Sequence, residues 1–172
     1  MRKSPPTPFI AALLACTLPF AVQAAAPAPD SAQAFVNKAA QAGLAEVELS
    51  KLAAANSHNE AVKNFAARMV TDHQKANMEL TAIAKPKSLV VPTQLDAEHA
   101  KAVQSLQGKS GEALDAAYAM HMAMDHDKAV ALFESNSAST DAELAGFARK
   151  TLPVLQEHKR MANDLNAKVN KK

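Results

Sequence analysis

Asp72-His73-Gln74-Lys75-Ala76 returns in the chain as Asp125-His126-Asp127-Lys128-Ala129 and, more loosely, as Glu157-His158-Lys159-Arg160-Met161. Each is an acid–His pair followed by a basic residue, and each lies in a separate stretch of helical periodicity. In all three the His falls on the apolar stripe, where a titrating side chain is costly to bury without a partner. A fourth periodic stretch, the first in the chain, carries Glu46 on its stripe. One carboxylate and three imidazoles aimed at one interior fix the problem that the fold has to solve.

Around these residues the periodicity defines four long helices. The first is expected from about Ser31 to Ala55, with the stripe Phe35, Ala39, Ala42, Glu46, Leu49 and Ala53 at spacings of three and four. Asn56-Ser57-His58-Asn59 breaks it. Ser57 with Glu60 has the form of a capping box for the second helix, which carries Val62, Phe65, Met69, His73, Leu80 and Ile83 and stops at Pro86. The third is expected from about Gly111 to Ser137, with Met122, His126, Val130 and Phe133 inward. Thr140 with Glu143 suggests a second capping box, opening a fourth helix that reaches about Val169 and carries Leu144, Phe147, Leu155, His158 and Leu165. Pro153 is expected to kink it.

Residues 86–110 differ. An extended Ser88-Leu89-Val90-Val91 leads to a short helix over Leu95–Gln107, started near Thr93 or Asp96, and Gly108 to Gly111 form a break. A structureless link of this length is unusual in a compact domain. A connection that runs the length of a bundle, packing through Leu95, Val103 and Leu106, accounts for it. Phe65-Ala66-Ala67-Arg68 and Phe147-Ala148-Arg149-Lys150 each precede an acid–His pair, so the chain reads as two related helical hairpins. With four glycines in 172 residues and no alternating apolar pattern, no sheet is expected. The fold class is all-α, a four-helix bundle of two hairpins over residues 31–169 with an extra helix in the crossover.

Residues 1–24 read as a secretory signal. Arg2 and Lys3 precede the apolar run from Phe9 to Leu18, and Val22-Gln23-Ala24 places small residues for cleavage before Ala25. The run is too short and too interrupted by proline for a stable membrane span. A lipoprotein cleavage at Cys16 is the alternative, but Leu14 and the apolar residues after Cys16 fit it poorly. Ala25–Asp30 is an Ala/Pro tether. Cys16 is the only cysteine, so the mature chain has no disulfide, thiolate ligand or Cys nucleophile. Loss of Arg2 and Lys3 leaves equal numbers of basic and acidic residues. Without a basic cluster or tryptophan, and with Tyr118 as the lone tyrosine, nucleic-acid binding has little support.

At a rise of 1.5 Å per residue, Glu46, His73, His126 and His158 fall roughly 22, 16, 20 and 28 Å above the bottom of the bundle. They share its middle, with His158 the outlier. Imidazole with carboxylate suits zinc, iron, manganese or copper. Glu46, His73, His126 and His158 are the candidate ligands. Asp72, Asp125 and Glu157 are candidates to ligate directly or to orient imidazoles on neighbouring helices, since adjacent helical residues point about 100° apart. The competing reading is three core histidines, each hydrogen-bonded to an acid across an interface. Met69 and Met122, four residues before His73 and His126, add a soft-donor option for copper, set against their use as core filler. The absence of C-x-x-C-H excludes covalent haem. His121 is a weaker candidate, and His58 in a turn and His99 in the short helix are expected to be exposed. There is no phosphate-binding Gly loop, nucleophile elbow or H-E-x-x-H.

Several blocks resemble a known group. Ala42-Gly43-Leu44-Ala45-Glu46-Val47-Glu48-Leu49, Phe65-Ala66-Ala67-Arg68-Met69-Val70-Thr71-Asp72-His73, Asp125-His126-Asp127-Lys128-Ala129-Val130-Ala131-Leu132-Phe133 and Thr151-Leu152-Pro153 before Glu157-His158 are similar to domain-of-unknown-function family 4142. The resemblance spans roughly Ala34 to Leu165. It implies a bacterial envelope protein with a ferritin-like four-helix fold and names no function. Di-iron ferritin-like proteins carry E-x-x-H on their metal-binding helices. Here the residues three before the histidines are Val70, Ala123 and Leu155, so ferroxidase or oxygenase activity does not carry over. The expected function is a periplasmic, non-enzymatic protein with a transition metal in its core. The alternatives are a metal-free structural or stress-related module that binds an envelope protein or the cell wall, and a metal-dependent redox enzyme.

Overall fold

The computed structural model describes residue 1 and residues 28–171. The expected signal beyond residue 1, Cys16 and half of the Ala/Pro tether lie outside them. Among the described residues there are five α-helices and no strand: α1 Ala32–Asn56, α2 Glu60–Ala84, α3 Ala97–Leu106, α4 Gly111–Asn136 and α5 Ala142–Val169. The expected helix ends lie within two residues of these bounds. A 3-10 turn, Lys85–Lys87, follows α2 where Pro86 prevents the helix from continuing. Among the described residues no helix is long and apolar enough to cross a membrane.

Local chemistry sets the helix starts, and two caps differ from expectation. Asn59, not Ser57, caps α2 by accepting from the Ala61 amide. Ser57 Oγ is occupied elsewhere: it accepts from the Asn59 amide and donates to buried Asp115 at 2.6 Å. Asp141, not Thr140, caps α5 and accepts from both Glu143 and Leu144. A carboxylate there satisfies two of the four free amides of the first turn and complements the helix dipole. Asp96 caps α3 as one of the two expected residues. α5 continues as helix through Pro153.

α1 packs against α2 and α4, and α5 against α4 and α2. The apolar residues divide into two clusters, one toward each end. One gathers Leu49, Phe65, Met69, Leu114, Met122 and Leu165; the other gathers Phe35, Leu80, Phe133, Leu144, Phe147 and Leu155. These memberships make each pair of packed long helices antiparallel. They also show that the crossover spans the molecule: Leu89 and Val91 pack on the second cluster, while Val103 and Leu106 pack on the first. Two glutamines of α1 hold the extended part of the crossover, a feature absent from the sequence reading. Gln33 exchanges hydrogen bonds with both backbone groups of Val90, at 2.8 and 2.9 Å. Gln41 does the same with the Gln94 carbonyl and the Asp96 amide, at 2.9 Å each. An extended strand without a sheet has backbone groups to satisfy, and the two side chains supply partners.

Every long helix passes from one apolar cluster to the other. Between them each presents one polar residue: Glu46 on α1, His73 on α2, His126 on α4 and His158 on α5. The polar set is therefore a belt between two apolar layers.

Candidate metal centre

The four belt residues are shut off from solvent, at 2% exposed for Glu46, 5% for His73, 0% for His126 and 1% for His158. The straight-helix heights make His158 an outlier, but its ring lies 5.3 Å from that of His73 and 5.4 Å from that of His126. The His73 and His126 rings are 5.5 Å apart. One ring nitrogen of each histidine comes within 4.8 Å of those of the other two.

Each ring has one nitrogen engaged and one free. His73 Nδ1–H donates to Glu46 Oε2 at 2.9 Å. His126 Nδ1–H donates to the Met122 carbonyl at 2.9 Å, one turn back on its own helix. His158 Nε2–H donates to Asp72 Oδ2 at 2.9 Å, across the α2–α5 interface. The nitrogens left over, His73 Nε2, His126 Nε2 and His158 Nδ1, are buried without a hydrogen-bond partner. Buried polar atoms are nearly always paired, so three orphans in one belt call for a ligand. The pattern of one nitrogen anchored on an oxygen and the other free is how proteins prepare imidazoles for a metal, because the anchor fixes the tautomer and the ring direction. Three atoms no more than 4.8 Å from one another can share an ion placed between them at no more than about 2.8 Å from each. Zinc–imidazole bonds are about 2.0–2.1 Å, so inward shifts of no more than about 0.7 Å per ring complete the contacts.

Electrostatics prepare the rings unequally. Burial pushes the Glu46 carboxyl up, but the charges of His73 and His126 and the His73 hydrogen bond outweigh it and bring the group to about 2. Burial lowers His73, and its carboxylate partner more than compensates, so His73 holds its proton above the usual 6.5. Burial, with the neighbouring imidazoles, lowers His158 to about 4 against the opposing hydrogen bond to Asp72. His158 is thus a neutral ligand at physiological pH, while His73 holds its proton more tightly than a free imidazole, so a metal competes with the proton there.

The expected site residues separate into groups. His73, His126 and His158 come together. Glu46 stands behind His73 and not among the free nitrogens; its second oxygen, Oε1, lies 3.6 Å from His126 Nδ1 and has no hydrogen bond. Asp72 anchors His158 from a neighbouring helix. Asp125 is half-buried, 3.7 Å from Lys128, with its carboxyl raised by burial and then by Glu46. Glu157 faces outward, paired with Arg160 at 2.7 Å and near Arg68. Met69 and Met122 are buried in the first apolar cluster. His58 is exposed, and His99 bonds Asp96. The sequence reading missed the Met122 carbonyl, which anchors through the backbone and leaves no residue signature. It also missed a cavity of about 20 Å³ beside Glu46 and His73, with Asn77 and Thr151 as the other polar residues on its wall. That volume holds about one water. Gly43 allows α1 and α2 to meet at this level, since a Cβ there would strike the Asn77 amide.

Fold and site together define an all-helical protein with a buried, anchored three-imidazole centre able to hold a metal. The profile described as Domain of unknown function (DUF4142) matches residues 18–165, and the chain belongs to that family. No curated protein matches it. Among solved structures it is similar to a DUF305 fragment from Deinococcus radiodurans, at 17% identity and a TM-score of 0.70, over 81% of this chain and 99% of that one. At that identity the likeness speaks to the fold.

Proposed function

We propose that the protein is a secreted, periplasmic, ferritin-like four-helix bundle that holds one transition-metal ion on His73 Nε2, His126 Nε2 and His158 Nδ1. The observation that carries this reading is the set of three buried ring nitrogens without partners, on rings whose other nitrogens are anchored. Glu46 and Asp72 are anchors that raise ligand basicity, and Glu46 supplies a negative charge against the ion. An all-imidazole set favours zinc, copper or iron over magnesium or calcium, which take oxygen ligands. The role is binding or storage of the ion.

Metal content of protein purified from its native periplasm, followed by titration of stripped protein, tests this. One ion per chain is expected. Uptake should weaken as pH falls, beginning above pH 6.5, because the metal competes with the proton that His73 holds more tightly than usual. A stripped protein that takes up none of zinc, copper, iron or manganese sinks the reading.

Export is proposed from the N-terminal sequence: cleavage after Ala24 gives a mature chain beginning at Ala25. Intact mass of the exported protein decides it. An acylated Cys16 at the mature N-terminus would reject this and place the protein on a membrane.

A further inference from the structure

The belt is linked to the surface through a methionine. Met161 lies on α5, about one turn after His158, half-buried at the edge of the first apolar cluster. Its sulfur accepts a hydrogen bond from Arg68 Nη1 at 3.0 Å, across the α2–α5 interface. The same guanidinium reaches Asp72 Oδ2 through Nε at 3.4 Å, and that oxygen is the one that accepts from His158 Nε2 at 2.9 Å. Sulfur, guanidinium, carboxylate and imidazole therefore form a chain of contacts from the surface to a buried ring. The Arg68 side chain is 43% exposed, so small solutes reach the outer end of that chain. Of the other methionines on the helices, Met69 and Met122 are fully buried, and Met78, Met120 and Met124 are exposed.

We propose that Met161 is an oxidation site for peroxides, and that its sulfoxide draws Arg68 off Asp72 and so tightens the anchor on His158. In the reaction the second lone pair of the sulfur attacks one peroxide oxygen, the O–O bond breaks, and the other oxygen takes up the displaced proton and leaves as water. The thioether loses two electrons and the peroxide gains them. The Arg68 charge beside the sulfur stabilises the departing hydroxide. A thioether sulfur is a weak acceptor, whereas a sulfoxide presents a polar oxygen. A hydrogen bond from nitrogen to oxygen takes about 2.9 Å by itself. A sulfur and a nitrogen 3.0 Å apart therefore leave no room for an oxygen between them. The guanidinium has to retreat to bond that oxygen, and the long contact to Asp72 at 3.4 Å is the one to yield. Asp72 is then left to His158, and a carboxylate relieved of a competing cation accepts more strongly. The oxidation site stands without a metal; its effect on the ion rests on the three-imidazole reading above.

Hydrogen peroxide treatment of the full mature chain, mapped by peptide mass spectrometry, tests the site. The parent protein carries Met78→Leu, Met120→Leu and Met124→Leu, which removes the exposed sulfurs. In it Met161 should gain one oxygen while buried Met69 and Met122 remain thioethers. NMR of the oxidised parent with chelator present reads the coupling without any metal. The His158 Nε2 proton should shift downfield on oxidation, and should not move when the parent with Met161→Leu is treated alike. The oxidised parent should also hold cobalt(II) at least threefold more tightly than the reduced one, again with no change in Met161→Leu. If Met161 stays reduced under conditions that oxidise the exposed methionines of wild type, the site is wrong. If Met161 is oxidised and the His158 proton stays in place, the coupling is wrong. A proton that moves in a protein that takes up no cobalt supports this inference and sinks the metal centre alone.

Discussion

Saturating zinc should raise the melting temperature by about 10 °C, and His126→Leu should remove that rise without weakening the metal-free protein. Free metal at about a thousand times its dissociation constant stabilises the folded state by about 4 kcal/mol. In a domain of this size each kcal/mol shifts the midpoint by about 2–4 °C. His126 is the informative position because its one hydrogen bond goes to a backbone carbonyl, and Glu46 keeps its hydrogen bond to His73 when the weaker contact with His126 is lost. Its Nδ1 donates to the Met122 carbonyl, which also lies within the α4 hydrogen-bond ladder. Its Nε2 has no partner to lose. Leucine is of comparable size and brings no polar atom into a fully buried position. Exchanging an unsatisfied imidazole for a hydrocarbon is neutral or stabilising where no partner is stranded. If the histidines were ordinary core hydrogen-bonders, His126→Leu would lower stability equally with and without zinc. Differential scanning of wild type and variant, each with zinc and with chelator, separates the two readings.

Much of this centre is legible in the sequence because helical periodicity is. The stripe assigns Glu46, His73, His126 and His158 to inward positions before any coordinates exist, and the apolar residues flanking each one predict burial. What periodicity cannot assign is which atom faces which. Glu46 is a natural ligand by residue type, yet in the structure it is spent on His73, because a carboxylate and an imidazole on packed helices pair first. Asp72 and Glu157 occupy equivalent places before a histidine, but the 100° turn sends Asp72 into the α2–α5 interface and Glu157 out to Arg160. The heights failed for His158 because they count from idealised loop positions, and an offset of one or two turns in the long connections moves a whole helix. Ser57 and Thr140 failed as caps because a second capable residue stood beside each, and Asp115 had a use for the Ser57 hydroxyl.

His73→Leu should be the most damaging single substitution in the belt, costing about 3 kcal/mol in metal-free protein at pH 7, with an unusual dependence on pH. The imidazole it removes is what lets Glu46 remain charged at 2% exposure. Without it the carboxyl must be buried unpaired or take up a proton. Protonating a group of ordinary value 4.5 at pH 7 costs about 3 kcal/mol, and breaking a buried pair costs about 3–5. Glu46→Leu should cost less, because the stranded His73 sheds its proton near its ordinary 6.5 at almost no expense at pH 7. Glu46→Leu/His73→Leu should return to within about 1 kcal/mol of wild type, since an apolar pair of similar volume replaces the ion pair. The signs in acid are opposite. In wild type the depressed Glu46 value means that its contribution is full above pH 4.5 and is lost as pH falls toward 2, and the lowered His158 adds a loss between pH 6.5 and 4. In His73→Leu the Glu46 value is raised, so its penalty is present at neutral pH and fades as the carboxyl protonates. The stability gap between the two proteins should therefore be widest near pH 7 and close as pH drops below the raised Glu46 value. Urea unfolding of wild type, both single variants and the double variant at pH 7 and pH 4.5, all with chelator present, measures it. A gap that stays constant across this range would mean that Glu46 is not held as a carboxylate by His73.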